Sequence, residues 1–154
     1  MRFEPPPLIH AFDLAVTLAP IMELGPGRAG QRRIIPITGG TVSGARINGR
    51  VMNLGADWQT VFAGGLAELD TRYALETDDG AVIEVINYGL RHGPADVMAR
   101  VASGADVDPS DYYMCTHCRL ETGDPRYDWV NRSLFIGRGG RKASSVVLSM
   151  FEIA

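Results

Sequence analysis

The stretch Leu66-Ala67-Glu68-Leu69-Asp70-Thr71-Arg72-Tyr73-Ala74-Leu75-Glu76-Thr77 decides the fold class. Ala67, Leu69, Thr71, Tyr73 and Leu75 fall on one face, and Glu68, Asp70, Arg72 and Glu76 on the other. That is the period of two a pleated strand imposes. Thr77-Asp78-Asp79-Gly80 follows as a hairpin turn, its Asp-Gly pair tolerating positive φ. Ala81–Leu90 returns as a second strand, with Ile83 and Val85 opposite Val82, Glu84, Ile86 and Tyr88. Both of its faces are partly apolar, which predicts a strand covered on both sides.

Toward the N-terminus, Ala56–Phe62 is predicted as a short strand. Before it, Thr41–Met52 is an extended segment in which Gly44 and Gly49 suit bulges or bends. Arg32–Thr38 reads as a short strand, Gly25–Gly30 as a loop and Leu8–Ala19 as the opening strand. Toward the C-terminus, Pro94–Ser103 is the one clear helix. Pro94 suits its first turn, Val97, Met98 and Val101 make an apolar stripe, and Gly104 ends it. A turn at Asp108-Pro109-Ser110, a strand over Tyr112–Leu120 and a helical turn at Pro125–Val130 come next. Arg132–Ile136 and Ser145–Ile153 are expected to pair across a Gly137–Lys142 loop. Eight or more strands with one or two short helices predict a single mainly β domain, a sandwich or barrel.

Composition agrees. The chain has 154 residues, 45% of them hydrophobic and 21% charged, enough for one domain with a real core. Its 18 glycines and 9 prolines are spread along the chain, as repeated turns require. A net charge of −3 supplies no general attraction for nucleic acid or an anionic membrane. No apolar run approaches the ~20 residues needed to span a bilayer. Three prolines and Glu4 within Met1–Leu8 exclude a secretory core there. Cys115 and Cys118, the only cysteines, are poorly spaced for a structural disulfide, so a cytoplasmic setting is expected.

Two motifs invite cofactors and fail on context. Gly25-Pro26-Gly27-Arg28-Ala29-Gly30 spells a dinucleotide fingerprint, but that motif must open a helix inside a βαβ unit. Pro26 and the strand-like Gln31-Arg32-Arg33-Ile34 contradict this. Cys115-Thr116-His117-Cys118 suggests zinc, yet only His10 and His92 remain as further histidines, neither with paired spacing. On a continuous strand Cys115 and Cys118 also face opposite sides, one thiol inside and one out. Neither a cofactor nor a metal is expected.

Several stretches, taken in order, resemble a known family. They are Arg33-Ile34-Ile35-Pro36-Ile37-Thr38-Gly39-Gly40, Gly55-Ala56-Asp57-Trp58-Gln59 and Leu69-Asp70-Thr71-Arg72-Tyr73. Asp79-Gly80, Gly89-Leu90-Arg91-His92-Gly93-Pro94, Tyr112-Tyr113 and Asp128-Trp129-Val130-Asn131 continue the series. Their order and spacing resemble domain of unknown function 3237 (DUF3237), also called uncharacterised protein family 0311 (UPF0311). The resemblance implies a closed antiparallel β-barrel, commonly dimeric, with a pocket at one barrel end. Some relatives look tied to the catabolism of lignin-derived aromatics, which requires side-chain decarboxylation or formaldehyde loss. Met114 and Cys115 depart from the family pattern, where an aromatic and an arginine often follow the second tyrosine. Asn53-Leu54 likewise replaces a frequent Pro-Gly. If the missing arginine grips a carboxylate, this chain is expected to favour substrates without one.

Candidate residues carry two readings each. Asp70 and Arg72 share one strand face, which is a surface ion pair on a solvated sheet. Inside a lumen, where the resemblance points, Arg72 would hold a phenolate or carboxylate and Asp70 would orient it. Asp57 is either a turn cap or a general base, its carboxyl raised by the apolar surface of Trp58. Tyr88, Tyr113, Trp129 and Asn131 are candidate pocket lining. His92 is either idle on a loop or an acid–base group at the barrel mouth. Cys115 and His117 share a face and would line the lumen together.

The chemistry expected from these readings is a cofactor-independent lyase acting on a phenolic side chain. Asp57 or His92 would be the base, Arg72 the electrostatic stabiliser and Tyr113 the proton donor, with Trp58 and Trp129 stacking on the ring. A non-catalytic carrier of an aromatic or hydrophobic metabolite, or a cyclase or isomerase, are the alternatives.

Overall fold

The computed structural model describes every residue from Met1 to Ala154. Nine strands account for most of it: β1 (Leu8–Leu18), β2 (Met22–Pro26), β3 (Gln31–Ser43), β4 (Gly49–Val61), β5 (Ala67–Thr77), β6 (Val82–His92), β7 (Tyr113–Glu121), β8 (Leu134–Arg141) and β9 (Ser145–Ile153). One α-helix, α1 (Ala95–Ala102), and two 3₁₀ helices, Pro109–Asp111 and Pro125–Arg132, fill the longer connections. Each 3₁₀ helix starts from an aspartate whose side chain accepts a backbone N–H, Asp108 from Ser110 and Asp124 from Arg126. No helix is long and apolar enough to cross a membrane.

Antiparallel neighbours run β1-β9-β8-β7-β6-β5-β4-β3, and a further β1–β3 pairing closes these eight strands into a barrel. Closure removes the open edges that a flat sheet would expose. Along one edge of β3, residues Ile37–Ser43 pair with β1 while Gln31–Ile34 pair with β2. The short β2 thus covers the part of β3 that β1 does not reach.

Gly55 makes the bend in β4. Between the pairs Val51–Leu75 and Gly55–Tyr73, β4 advances four residues against two on β5. Gly55 has φ +90°, and a Cβ there would lie 2.0 Å from the Arg72 carbonyl oxygen. Only glycine fits.

Strand alternation then sorts the interior. At one end, where the β3–β4 and β5–β6 turns and the Pro125–Arg132 helix lie, Phe12, Val42, Ile47, Val51, Leu75, Ile83, Val130, Phe135 and Met150 are each at most 2% exposed. This half is packed solid with apolar groups. The other half lies beneath α1 and carries polar inward side chains.

Several expectations are corrected. Thr41–Met52 is not one extended segment: β3 ends at Ser43, and a turn closed by Asn48, which bonds both N–H and C=O of Gly44, leads into β4. Met22–Pro26, for which the sequence suggests no strand, forms β2. β8 runs on through Gly137–Arg141, which the sequence suggested as loop. A Cβ at Gly139 would sit 2.2 Å from the Val147 carbonyl oxygen, so close strand approach explains that glycine. β6 is covered on its inner face alone, for Val82 and Glu84 are exposed.

Candidate functional site

The polar half of the lumen is assembled from single residues on separate strands. Asp57 and Gln59 come from β4, Arg33 from β3, Thr71 and Tyr73 from β5, and Asn87 and Arg91 from β6. Thr116 on β7 and Arg141 on β8 complete it. Register explains the gathering: Asp57 stands opposite Thr71, Thr71 opposite Asn87, and Arg33 opposite Gln59.

A relay of hydrogen bonds runs across the first of these strands. Arg33 Nε donates to Gln59 Oε1 at 2.8 Å, and Gln59 Nε2 donates to Asp57 Oδ2 at 2.5 Å. The backbone N–H of Asp70 donates to Asp57 Oδ1 at 3.1 Å. Burial nevertheless dominates and holds the Asp57 carboxyl above the ordinary carboxylate range, against the lowering pull of Gln59, Asp70 and Arg91. Arg91 is pushed down to about 10, chiefly by burial and then by repulsion from Arg33 and Arg141. Arg141 is lowered for the same reasons, burial first and Arg33 second.

Four buried polar atoms here have no partner within the protein: Tyr73 OH, Asn87 Oδ1, Arg91 Nε and Thr116 Oγ1. Each such group costs roughly 1–3 kcal/mol when left unpaired, so a cluster of them marks a place built around a polar guest. Two small cavities adjoin the cluster. One of about 40 Å³ is lined by Asp57, Thr71, Tyr73, Asn87 and Thr116 among apolar neighbours such as Leu69 and Met114. The other, of about 70 Å³, lies between the arginines and α1. Together they offer a carboxylic acid base, hydroxyl and amide groups, and a concentrated positive field.

Of the residues singled out from the sequence, Asp57 alone faces this lumen. Arg72 and Asp70 stand exposed on the outer face of β5, because the inward positions of that strand belong to Leu69, Thr71 and Tyr73. Their placement in the lumen is thereby corrected. Trp58 is 45% exposed on the outside of β4, one residue out of phase with Asp57. Tyr88, Tyr113, Cys115 and His117 also lie outside, lining a groove of about 570 Å³ with Leu8, Leu90, Ile136, Arg138 and Phe151. His92 is exposed and stacks on Tyr113, ring centroids 4.8 Å apart. Neither reaches the interior as a base or proton donor. Because Cys115 is outside, an arginine at that position would not reach the lumen, and the expected bias against carboxylates loses its basis. Cys118, by contrast, is buried, its thiol pushed up to about 12 by desolvation.

Trp129 is held at the apolar end, against Phe135 and under the Arg46 guanidinium at 3.5 Å from its ring centroid. Asn131 serves a turn, accepting from Thr122 N and donating to Thr122 O. Stacking of Trp58 and Trp129 on one lumen ligand is therefore ruled out by their positions. The residues the sequence reading missed are Arg33, Gln59, Arg91 and Arg141, with the neutral Thr71, Tyr73, Asn87 and Thr116. A usable signal existed: counting by twos from Ile83 and Val85 reaches Asn87 and Arg91, and from Asp57 reaches Gln59.

Comparison with known proteins gives a family and no activity. The model described as "Protein of unknown function (DUF3237)" matches residues 6–153. A UPF0311 protein of Rhodopseudomonas palustris strain TIE-1 is 41% identical over 144 residues, 94% of each chain. The crystal structure of a conserved protein of unknown function from Rhodopseudomonas palustris superposes with a TM-score of 0.93 at 38% identity, covering 99% of this chain and 100% of that one. A β-barrel-like protein from Acinetobacter baumannii AYE superposes with a TM-score of 0.86 at 44% identity, again covering 99% and 100%.

Proposed function

The chain belongs to the DUF3237 family, whose name assigns no activity, and from that premise we propose that the polar half of its barrel is a cofactor-independent acid–base site for a small organic molecule. One observation carries this reading. Asp57, its proton affinity raised by burial, faces the same lumen as four buried polar groups that lack partners within the protein. A carboxyl with raised pKa beside a positive field is the arrangement general base catalysis uses.

The reaction class is carbon–carbon lysis on a phenolic side chain. Asp57 accepts the proton of the substrate's departing hydroxymethyl or carboxyl group. Where a carbonyl or the quinone-methide tautomer of the phenol is conjugated with the breaking bond, the bonding pair passes into it and leaves an oxyanion, which the guanidiniums of Arg33, Arg91 and Arg141 stabilise. Formaldehyde or carbon dioxide leaves, and the proton returns to carbon, so hydrogen replaces the lost group. Arg72 has no part in this. Entry requires more room than about 40 and 70 Å³ provide, so an aromatic ligand displaces α1 or leaves its ring at the mouth.

We also place the protein in the cytoplasm, since both cysteines are free. The outer groove, with Leu8 51% and Tyr113 43% exposed, is the face we assign to a homodimer. Incubation with lignin-type phenolic dimers, followed by mass spectrometry, tests the lyase reading. Product that Asp57→Asn lowers at least a hundredfold and Arg72→Ala leaves unchanged supports it. Binding without turnover makes the barrel a carrier. Turnover unaffected by Asp57→Asn removes the acid–base site.

A further inference from the structure

The positive field beneath α1 is larger than the relay requires. Arg33, Arg91 and Arg141 line one cavity of about 70 Å³. Arg33 spends its Nε on Gln59, and Arg141 spends its Nε on the Lys142 carbonyl oxygen at 2.9 Å. Both can still offer their terminal nitrogens. Arg91 is 7% exposed, and its Nε has no partner within the protein. Three guanidiniums face one carboxylate, Asp57, so two positive charges stand uncompensated when Asp57 is ionised and all of them when it is not.

A structural ion network would pair these charges, because desolvated like charges oppose folding. Three planar donor forks lining one cavity suit a planar oxyanion, which a guanidinium can grip in the bidentate manner. The remaining walls of the cavity are Ile21, Ile35, Met98, Val101 and Ala102. An apolar wall around a cationic floor fits a carboxylate on a carbon body better than a heavily hydrated inorganic anion.

We propose that Arg33, Arg91 and Arg141 form a carboxylate-binding subsite beneath α1, and that the natural ligand is a small organic acid held there. This rests on reading the lumen as the ligand site, and it narrows the chemistry. A carboxylate gripped by three arginines is stabilised as the anion, so its own loss as carbon dioxide is opposed. The bond that breaks lies elsewhere in the ligand, which leaves formaldehyde loss as the lyase branch compatible with this grip.

The test needs no turnover. Acetate and benzoate, each beside its neutral amide and beside inorganic phosphate, are titrated into the full chain at low salt by calorimetry and by NMR of the arginine Nε–H groups. The carboxylates bind, the amides do not, and Arg91→Gln and Arg141→Gln each weaken binding at least tenfold. Asp57→Asn keeps the carboxylate binding, or tightens it by removing a negative charge, which separates this subsite from the role given to Asp57. Equal binding of the amides, tighter binding of phosphate than of acetate, or undiminished affinity in both arginine variants overturns the proposal.

Discussion

Gln59 donates through Nε2 to Asp57 at 2.5 Å while its Oε1 accepts from Arg33, so one buried amide orients both the acid and a guanidinium of the lumen. With Gln59 1% exposed, neither bond can be replaced by solvent without opening the barrel. Gln59→Met keeps the volume and removes both bonds. The Asp57 carboxyl then loses its largest lowering influence and rises further. The expected loss of stability is about 1–3 kcal/mol by urea unfolding, the cost of groups left unpaired. In any assay of turnover, the acidic limb of the pH–rate profile moves to higher pH. A variant with unchanged stability and an unmoved limb shows that the relay does not control Asp57.

The raised Asp57 carboxyl has a consequence for stability. Its proton is held more tightly in the folded protein than in the unfolded chain, where the group titrates near 3.8. Stability from this group is therefore complete below that value and falls as pH rises through the folded pKa. At pH 7 the buried charge is a burden on the fold. Asp57→Asn is expected to melt higher than the parent at pH 7, with the gap shrinking as pH falls through the folded pKa and closed once pH reaches the unfolded value near 3.8. A variant less stable at pH 7 by thermal unfolding contradicts the assignment of desolvation as the dominant influence.

What the sequence revealed and what it hid follow from the same alternation. β5 was legible because its inward face is apolar and its outward face charged, the pattern of a sheet with one side in water. That pattern already placed Arg72 outside; the motif containing it suggested a functional role the geometry does not support. The lumen was hidden because Arg33, Gln59, Arg91 and Arg141 lie on four strands, and the polar residues beside them, Arg32, Thr60, His92 and Lys142, blur the alternation that would mark them as inward. An inward arginine next to Leu90 and His92 looks like one on a solvated edge until closure of the barrel turns it inside. β8 was hidden differently, since glycines that admit a neighbouring strand resemble glycines that make a loop.

Arg72 supplies the control for the lumen. It is exposed on the outer face and opposite Ala56 and Ile86 across the flanking strands. Surface substitutions away from special features change stability by about 0.5 kcal/mol or less. Arg72→Ala is thus expected to leave unfolding free energy and acetate affinity within measurement error. A tenfold loss of acetate affinity would mean that β5 presents its other face to the ligand.

Gly55→Ala tests the bend that sets Asp57 in place. The alanine Cβ would meet the backbone oxygen of Arg72 at 2.0 Å, and φ +90° is strained for any L side chain. Backbone cannot yield as a flexible side chain would, so relief requires β4 to part from β5 where the Gly55–Tyr73 and Asp57–Thr71 pairs hold them. The expected cost is about 3 kcal/mol or more, combining strain with lost ladder bonds. Hydrogen exchange at the amides of Asp57, Thr71 and Tyr73 should accelerate far more than at the apolar end, around Leu75 and Ile83. Uniform acceleration along β5 would instead show that the bend stabilises the barrel as a whole and does not by itself position the acid.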